Sequence, residues 1–152
     1  MDITDSITIM GWVKPSSAGQ TAHLFGRDDG SNRNYVVHIN GSNKYQFDFY
    51  VSNSAQSVTS STADTANTWV HIACTQDKTL QKNIIYRNGV AEDSDTDSAG
   101  SIDNDDVQFS IGAQDDADLD FAGNIKNVAI WSRALTATEV QNVMYKTYDE
   151  VG

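Results

Sequence analysis

The segment that decides the fold is residues 110–140, SIGAQDDADLDFAGNIKNVAIWSRALTATEV. Apolar residues alternate with polar ones as the chain enters it, at Val107, Phe109 and Ile111, and this period of two predicts a strand. An acidic loop follows at 114–120, and the apolar run at 125–131 predicts a second strand. The two strands supply the closing part of a β-rich fold.

A short helix is predicted directly after these strands. Thr136 is followed three positions later by Glu139, which is the spacing of a capping box. Val140, Val143 and Met144 then form an apolar stripe at helical spacing. Because the helix is short, we expect it to lie at a sheet edge.

Alternating patterns also dominate the rest of the chain. Asn40-Gly41 lies between two alternating segments and predicts a hairpin over 35–51. A second hairpin is predicted over 70–86, and the acidic run at 92–97 is interpreted as an exposed strand after an Asn-Gly turn. Short strands at this spacing favour a two-sheet sandwich.

Composition excludes several classes of function. The 152 residues suffice for one domain with a hydrophobic core, and 10 Lys and Arg against 21 Asp and Glu give a net charge of -11. This charge repels phosphate backbones and anionic lipids, so we expect no nucleic acid partner. We expect no membrane insertion either, since no apolar run of about eighteen residues occurs. The N-terminal MDITDSITI lacks the features of a secretory signal, which leaves an excised domain, release by lysis or a cytoplasmic protein open.

Patterns of catalytic residues are lacking. The three histidines and the single cysteine have no zinc-like spacing: His23, His38, His71 and Cys74. Cys74 allows no intrachain disulfide, and we expect it to be a buried apolar side chain. The sequence contains no Gly-x-Ser-x-Gly elbow, phosphate-binding loop or dinucleotide fingerprint. It therefore predicts a protein that is not an enzyme.

Several motifs together resemble a known family. ITIMGWVKP, NTWVHIACT and YRNG occur in this order, and the closing pattern of that family is matched by Phe121, Gly123, Ile125, Trp131, Arg133, Ala134 and Leu135. These motifs resemble the laminin-G-like and pentraxin-like jelly rolls of the concanavalin A-like lectin/glucanase superfamily, over nearly the whole chain. The resemblance implies an all-β, two-sheet antiparallel β-sandwich with one short helix near the C-terminus, in which 52–68 forms a polar strand plus loop.

The same resemblance implies that residues 1–152 form a single domain that lacks the usual first strand. An unpaired sheet edge invites pairing with another chain. The expectation is therefore either a trimmed domain or a strand supplied by a neighbour.

The resemblance also implies a calcium site. In pentraxins the loop after the Ile-Gly step supplies acidic and amide ligands, and a second loop lies, by position, where this chain has Asp28, Asp29, Asn32 and Asn34. Carboxylates and amide oxygens suit a hard cation. The implied metal ligands are Asp28, Asp29, Asn34, Gln114, Asp115 and Asp116. The alternative is an acidic loop that is only solvated.

Departures from the family pattern limit what can be carried over. The positions of the pentraxin disulfide are Met10 and Ala73 here, and Cys74 faces the other side of its strand. Lys126 stands where many laminin-G-like relatives have an acid. Glucanases of the wider group use two Glu on one strand, whereas the three Glu here are scattered: Glu92, Glu139 and Glu150. A disulfide and retaining glycoside hydrolysis are therefore not expected.

Aromatic residues provide a further candidate for ligand contact. Trp12, Trp69 and Trp131 could stack on sugar rings, although core packing is the commoner role. We expect Trp12 and Trp69 to be partly buried. We expect three tyrosines to be more accessible: Tyr35, Tyr50 and Tyr86. The sequence alone assigns no sugar pocket.

The resemblance implies a non-catalytic recognition module that binds glycans or proteins, with calcium at 28–34 and 114–118 as the ligand-facing cofactor. The alternative is a structural or decoration domain of a virion or extracellular assembly, acting through protein–protein contacts. Both hypotheses place the protein outside the cell or on a virion surface, and both allow a homo-oligomer or a larger assembly.

Overall fold

Strands dominate the computed structural model, which describes residues 2–96, 100–114 and 119–146. Within these residues the elements in chain order are β1 (Ile7–Pro15), β2 (Ala22–Asp28), β3 (Arg33–Ile39), β4 (Lys44–Val51), β5 (Ser54–Ala63), β6 (Val70–Asp77), β7 (Lys82–Arg87), β8 (Val90–Thr96), β9 (Ser110–Ile111), β10 (Gly123–Trp131) and α1 (Ala137–Val143).

The strands form two five-stranded antiparallel sheets. We call the sheet with strand order β10-β1-β6-β7-β8 the back sheet and the sheet with order β5-β4-β3-β2-β9 the front sheet. This arrangement confirms the predicted all-β sandwich with one short helix near the C-terminus. Both predicted hairpins are confirmed as β3–β4 and β6–β7, and the polar strand within 52–68 is β5.

The hydrophobic core lies between the two sheets, because one side of each alternating strand is apolar. The back sheet contributes Ile7, Ile9, Val13, Val70, Ile72, Cys74 and Ile85, and the front sheet contributes Leu24, Phe25, Tyr35, Val37, Ile39, Tyr45, Phe47, Phe49 and Val58. Cys74 is fully buried, as predicted, and burial raises the pKa of its thiol. Met10 and Ala73 face each other across β1 and β6, on the outer side of the sheet.

Helix α1 begins with the predicted capping box. The Thr136 hydroxyl accepts from the Glu139 backbone N–H, and the Glu139 carboxylate accepts from the Thr136 N–H at 2.8 Å. The helix reaches the sheet edge, as expected, because the Gln141 side chain donates to the Gly89 carbonyl in the turn before β8, but it also covers the centre of the back sheet. Val140 packs with Met10, Ala73 and other residues of the three central back-sheet strands, because the outer face there is apolar and needs a cover. In the described ranges no helix combines the length and apolarity that crossing a membrane requires.

Three further details differ from the sequence-based expectations. Strand β2 was not predicted, since its residues are buried throughout and do not alternate. Val107 and Phe109 precede β9, which is limited to Ser110–Ile111. The three tyrosines expected to be accessible are buried: Tyr35 and Tyr50 in the front sheet and Tyr86 beneath α1, with 1%, 8% and 2% of their surfaces exposed.

Candidate functional site

The outer face of the front sheet carries a pocket of about 140 Å³. Its lining comes from β2, β3, β4 and the segment around β9: His23, Asp28, Arg33, Val36, His38, Asp48, Tyr50, Gln114 and Leu119. The register pairs Val36 with Asp48 and His38 with Gln46, so the side chains opposite the core share one face. We call this site the front pocket.

A polar network occupies one side of the front pocket. The His38 Nε2 lies 3.0 Å from the Oδ2 of Asp48, and the Gln46 side-chain amide donates to the other carboxylate oxygen at 2.7 Å. Burial opposes ionisation of Asp48, but hydrogen bonding and charge at His38 outweigh it and lower the Asp48 pKa. Asp48 therefore stays a fixed anion at the base of the pocket.

An arginine and a tyrosine form a second side. The Arg33 guanidinium donates to the Tyr50 hydroxyl at 3.1 Å and lies 5.6 Å from the centre of the Tyr50 ring. Its Nε also donates to the Gly30 carbonyl at 2.9 Å. Burial raises the pKa of Tyr50, although Arg33 acts in the opposite direction. The Arg33 side chain remains 45% exposed, so it can still reach a ligand.

The third side joins β2 to the segment around β9. Asp28 accepts from the Gly30 N–H at 2.7 Å and from the Gln114 side-chain amide at 2.9 Å. His23 Nε2 lies 2.9 Å from the Ser110 hydroxyl, and burial is the main cause that lowers the His23 pKa. His23 is therefore a neutral hydrogen-bonding group near pH 7.

The structure brings together only some of the predicted calcium ligands. Asp28 and Gln114 are in direct contact. Asp29 binds the backbone and side chain of Asn32 in its own turn. Asn34 is bonded to the backbone of Asp105 through both ends of its amide.

The remaining two predicted ligands, Asp115 and Asp116, lie outside the described residues. Within the residues that are described, no group of three His, Cys, Asp or Glu side chains is arranged to hold a metal ion. Of the predicted ligands that the structure describes, Asp28 and Gln114 are the two that contact each other.

Sequence reasoning missed Arg33, His38, Asp48 and Tyr50 as candidate site residues. His38, Asp48 and Tyr50 alternate with the core residues of a hairpin and share its outer face, and such positions normally face water. The signal that could have identified these three is their density on one face of the hairpin, whereas Arg33 has the parity of the core residues Tyr35 and Val37 and carries no such signal. The contributions of His23 and Gln114 depend on strand order and have no local signal.

The comparison with protein families finds a match over residues 1–141 to the Laminin_G_3 model, described as the Concanavalin A-like lectin/glucanases superfamily. The chain belongs to this laminin G family. Its fold is therefore that of a lectin-like binding domain, as the sequence motifs predicted. The comparison with curated proteins finds no match.

Solved structures share the fold of this laminin G domain. A Bacteroides ovatus protein named as a candidate carbohydrate binding protein is 19% identical with a TM-score of 0.79, over 95% of this chain and 42% of that one. This chain thus spans less than half of that protein.

Two further structures are similar over most of their own length. The CBM40 of a Ruminococcus gnavus sialidase, bound to α2,3 sialyllactose, is 16% identical with a TM-score of 0.73, over 93% of this chain and 83% of that one. A heptameric pentraxin from Limulus polyphemus is 14% identical with a TM-score of 0.70, over 94% and 71%. At these identities the likeness concerns the fold alone.

Proposed function

We propose that this laminin G domain is a non-catalytic module that recognises glycans through the front pocket. The observation that carries the proposal is the concentration of fixed hydrogen-bonding groups on one sheet face. Arg33 donates, Asp48 accepts, and His38 and His23 complete a ring of polar groups around a pocket of about 140 Å³.

The chemistry of a sugar matches these groups. Sugar hydroxyls both donate and accept, and they need partners whose geometry is already set by other hydrogen bonds. Asp48 is held by His38 and Gln46, and Arg33 is held by Tyr50. These side chains are already ordered, so they lose little conformational entropy when a ligand binds. The solved carbohydrate-binding structures of the same fold support this assignment, including the one bound to sialyllactose.

Glycan-array binding of the purified domain tests the proposal. We expect a signal that Arg33→Ala and Asp48→Asn each weaken roughly tenfold or more, because each removes a charge-assisted hydrogen bond. Lys82→Ala is the matched control, since Lys82 is exposed at the start of β7 in the back sheet. Binding that survives both pocket variants would contradict the front pocket as the site.

Calcium remains a narrower proposal. Asp28 and Gln114 lie together at the rim of the front pocket, and Gln114 directly precedes Asp115 and Asp116 in the sequence. Carboxylate and amide oxygens in this segment would be the ion's ligands, and the ion would offer free coordination positions to sugar hydroxyls.

Titration calorimetry with Ca²⁺ tests this second step. We expect heat of binding in the wild type, reduced by Asp28→Asn and lost in Asp115→Ala with Asp116→Ala. The array should be repeated with a chelator. A calcium-independent glycan signal without heat of calcium binding would retain glycan recognition and reject the calcium site.

The competing proposal is a structural domain of an extracellular or virion assembly. One observation favours it: at the sheet edge formed by β9, Phe109 and Ile111 are 37% and 53% exposed, next to a groove of about 510 Å³ lined in part by Val107 and Ile130. Exposed apolar side chains at a sheet edge suit contact with another chain. A stable oligomer in light scattering, together with no glycan binding on the array, would support this structural function. An extracellular location is part of both proposals.

A further inference from the structure

A second cluster of ring and charged side chains lies on the outer face of the back sheet, opposite the front pocket. In β1, Trp12 and Lys14 point outward, because Val13 between them is in the core. The register places Lys126 of β10 beside Trp12, and Trp69 directly precedes Val70, the partner of Val13. Helix α1 covers the face next to this cluster, and its C-terminal end meets the cluster where the Trp12 indole donates to the Met144 carbonyl at 2.7 Å.

The rings and ammonium groups are stacked on each other. The Lys126 Nζ lies 4.5 Å from the centre of the Trp69 ring and 5.9 Å from that of Trp12. The Lys14 Nζ lies 5.8 Å from the Trp69 ring. Tyr145, which is 75% exposed, extends the aromatic surface, with its ring centre 5.6 Å from Trp12. We call these five residues the back platform.

The back platform differs in charge from the rest of the molecule. The chain has only 10 Lys and Arg against 21 Asp and Glu, yet two lysines converge here. Among the described residues, neither Lys14 nor Lys126 forms an ion pair with a carboxylate. Ammonium groups above aromatic rings form a local positive site on an acidic protein.

We propose that the back platform binds an anionic saccharide, a sugar ring that bears a carboxylate or a sulfate. The face of the ring would lie on the exposed Tyr145, where sugar C–H groups meet aromatic carbon, and the anion would lie between the Lys14 and Lys126 ammonium groups over Trp69. Extended polyanions and anionic membranes are disfavoured, because the net charge of -11 repels them beyond this small patch.

The test measures binding at the two sites separately. Trigalacturonate and a sulfated chondroitin disaccharide are the anionic probes, with neutral galactotriose as their uncharged control. Indole N–H resonances of the tryptophans, followed by NMR, report on the platform. We expect an anionic probe to shift the Trp69 resonance, whereas galactotriose leaves it unchanged. The carboxylate and sulfate arms show which anion the site prefers.

Matched variants assign the binding. Lys126→Met keeps the alkyl stem over the rings and removes the charge, so we expect at least a roughly tenfold loss of affinity for the anionic probe. Lys126→Arg should retain affinity, and Lys82→Met is the control at an exposed lysine of the same sheet. Arg33→Ala in the front pocket should have no effect, so this site can fail independently of the proposed function.

Four results would overturn the inference. The anionic probe could lose affinity in Arg33→Ala and keep it in Lys126→Met, which would place it in the front pocket. Binding could be equal for galactotriose, which would remove the role of charge. A third such result is that none of the probes binds and Lys126→Met lowers the melting temperature, which would mean that the stack only stabilises the sheet. Phosphatidylserine vesicles could shift Trp69 where the saccharides do not, which would indicate a membrane contact.

Discussion

At the residue scale, His71 is the clearest source of pH sensitivity. It lies in β6 with 1% of its surface exposed, and its ring contacts Trp12 edge-on at a centroid distance of 5.3 Å. Its Nδ1 is buried without a hydrogen-bond partner among the described residues. Burial therefore penalises the charged form and lowers the pKa of His71 to about 4, from 6.5.

We predict that the domain loses stability as the pH falls from about 6.5 to about 4. The unfolded chain binds a proton at His71 before the folded chain does, so the stabilisation is complete above 6.5 and lost below about 4. The difference between the His71 pKa in the unfolded and in the folded chain corresponds to about 3 kcal/mol in the free energy of unfolding. Urea unfolding across this range should show the loss, and His71→Gln should flatten it. An unchanged slope would instead implicate His23, whose pKa burial also lowers.

Glycine positions give a second prediction at this scale. Gly26 in β2 lies opposite Val36, and a Cβ there would meet the Tyr35 carbonyl oxygen and approach the Val36 Cα to 2.6 Å. Because backbone atoms of a paired strand cannot move aside, we expect Gly26→Ala to cost at least about 3 kcal/mol or to prevent folding. Gly41→Ala, where nothing lies within 4 Å, should change the free energy of unfolding by less than about 0.5 kcal/mol. Equal effects would contradict this reading.

At the element scale, the stability of α1 depends on the capping of its first turn and on its packing against the back sheet. The helix has seven residues, too few to be stable alone, so capping and packing must supply its stability. The Arg133 side chain, with a contribution from the Thr136 backbone, lowers the pKa of Glu139 to about 2. At its other end, the Trp12 indole donates to the Met144 carbonyl at 2.7 Å.

We predict that Thr136→Ala destabilises the protein by about 1 kcal/mol, because the Glu139 N–H loses its cap. Thr138→Ala is the matched control on an exposed position of the same helix, and it should be neutral. Chemical denaturation followed by tryptophan fluorescence measures both. Since Trp12 binds the last turn, a fraying helix should also change its emission. A larger effect in Thr138→Ala would contradict the capping role.

At the scale of the whole molecule, the net charge of -11 opposes the compact state. The acids are partly concentrated in β8, the free edge of the back sheet, where Asp93 and Asp95 are exposed. Charged residues on an edge strand also hinder pairing with other chains. The same side chains thus protect the edge and add to the self-repulsion.

We predict that the melting temperature rises when NaCl is increased from about 10 mM to about 150 mM, because the screening length falls from about 30 Å to about 8 Å. Asp93→Asn with Asp95→Asn should show a smaller rise. Differential scanning calorimetry measures both proteins. A fall in the melting temperature with salt would mean that attractive pairs, such as Arg133–Glu139, outweigh the repulsion.

Local sequence patterns determined most of the fold class. Alternating residues predicted the strands of both hairpins, the Thr136–Glu139 spacing predicted the helix start, and the lack of a disulfide partner predicted the burial of Cys74. These features depend on neighbours a few residues away, so the period of a strand or the chemistry of a cap is enough to identify them. The resemblance of the motifs to a known family then predicted the two-sheet sandwich.

Only the tertiary structure decided where the functional groups lie. Gln114 meets Asp28, and Lys126 meets Trp69, because strand order and register bring distant segments together. Burial of Tyr35 and Tyr86 likewise depends on which sheet face or helix covers them. An alternating pattern shows which side chains of a strand share a face, but it does not show which strand lies next to that strand. Both the front pocket and the back platform are formed by residues of several strands.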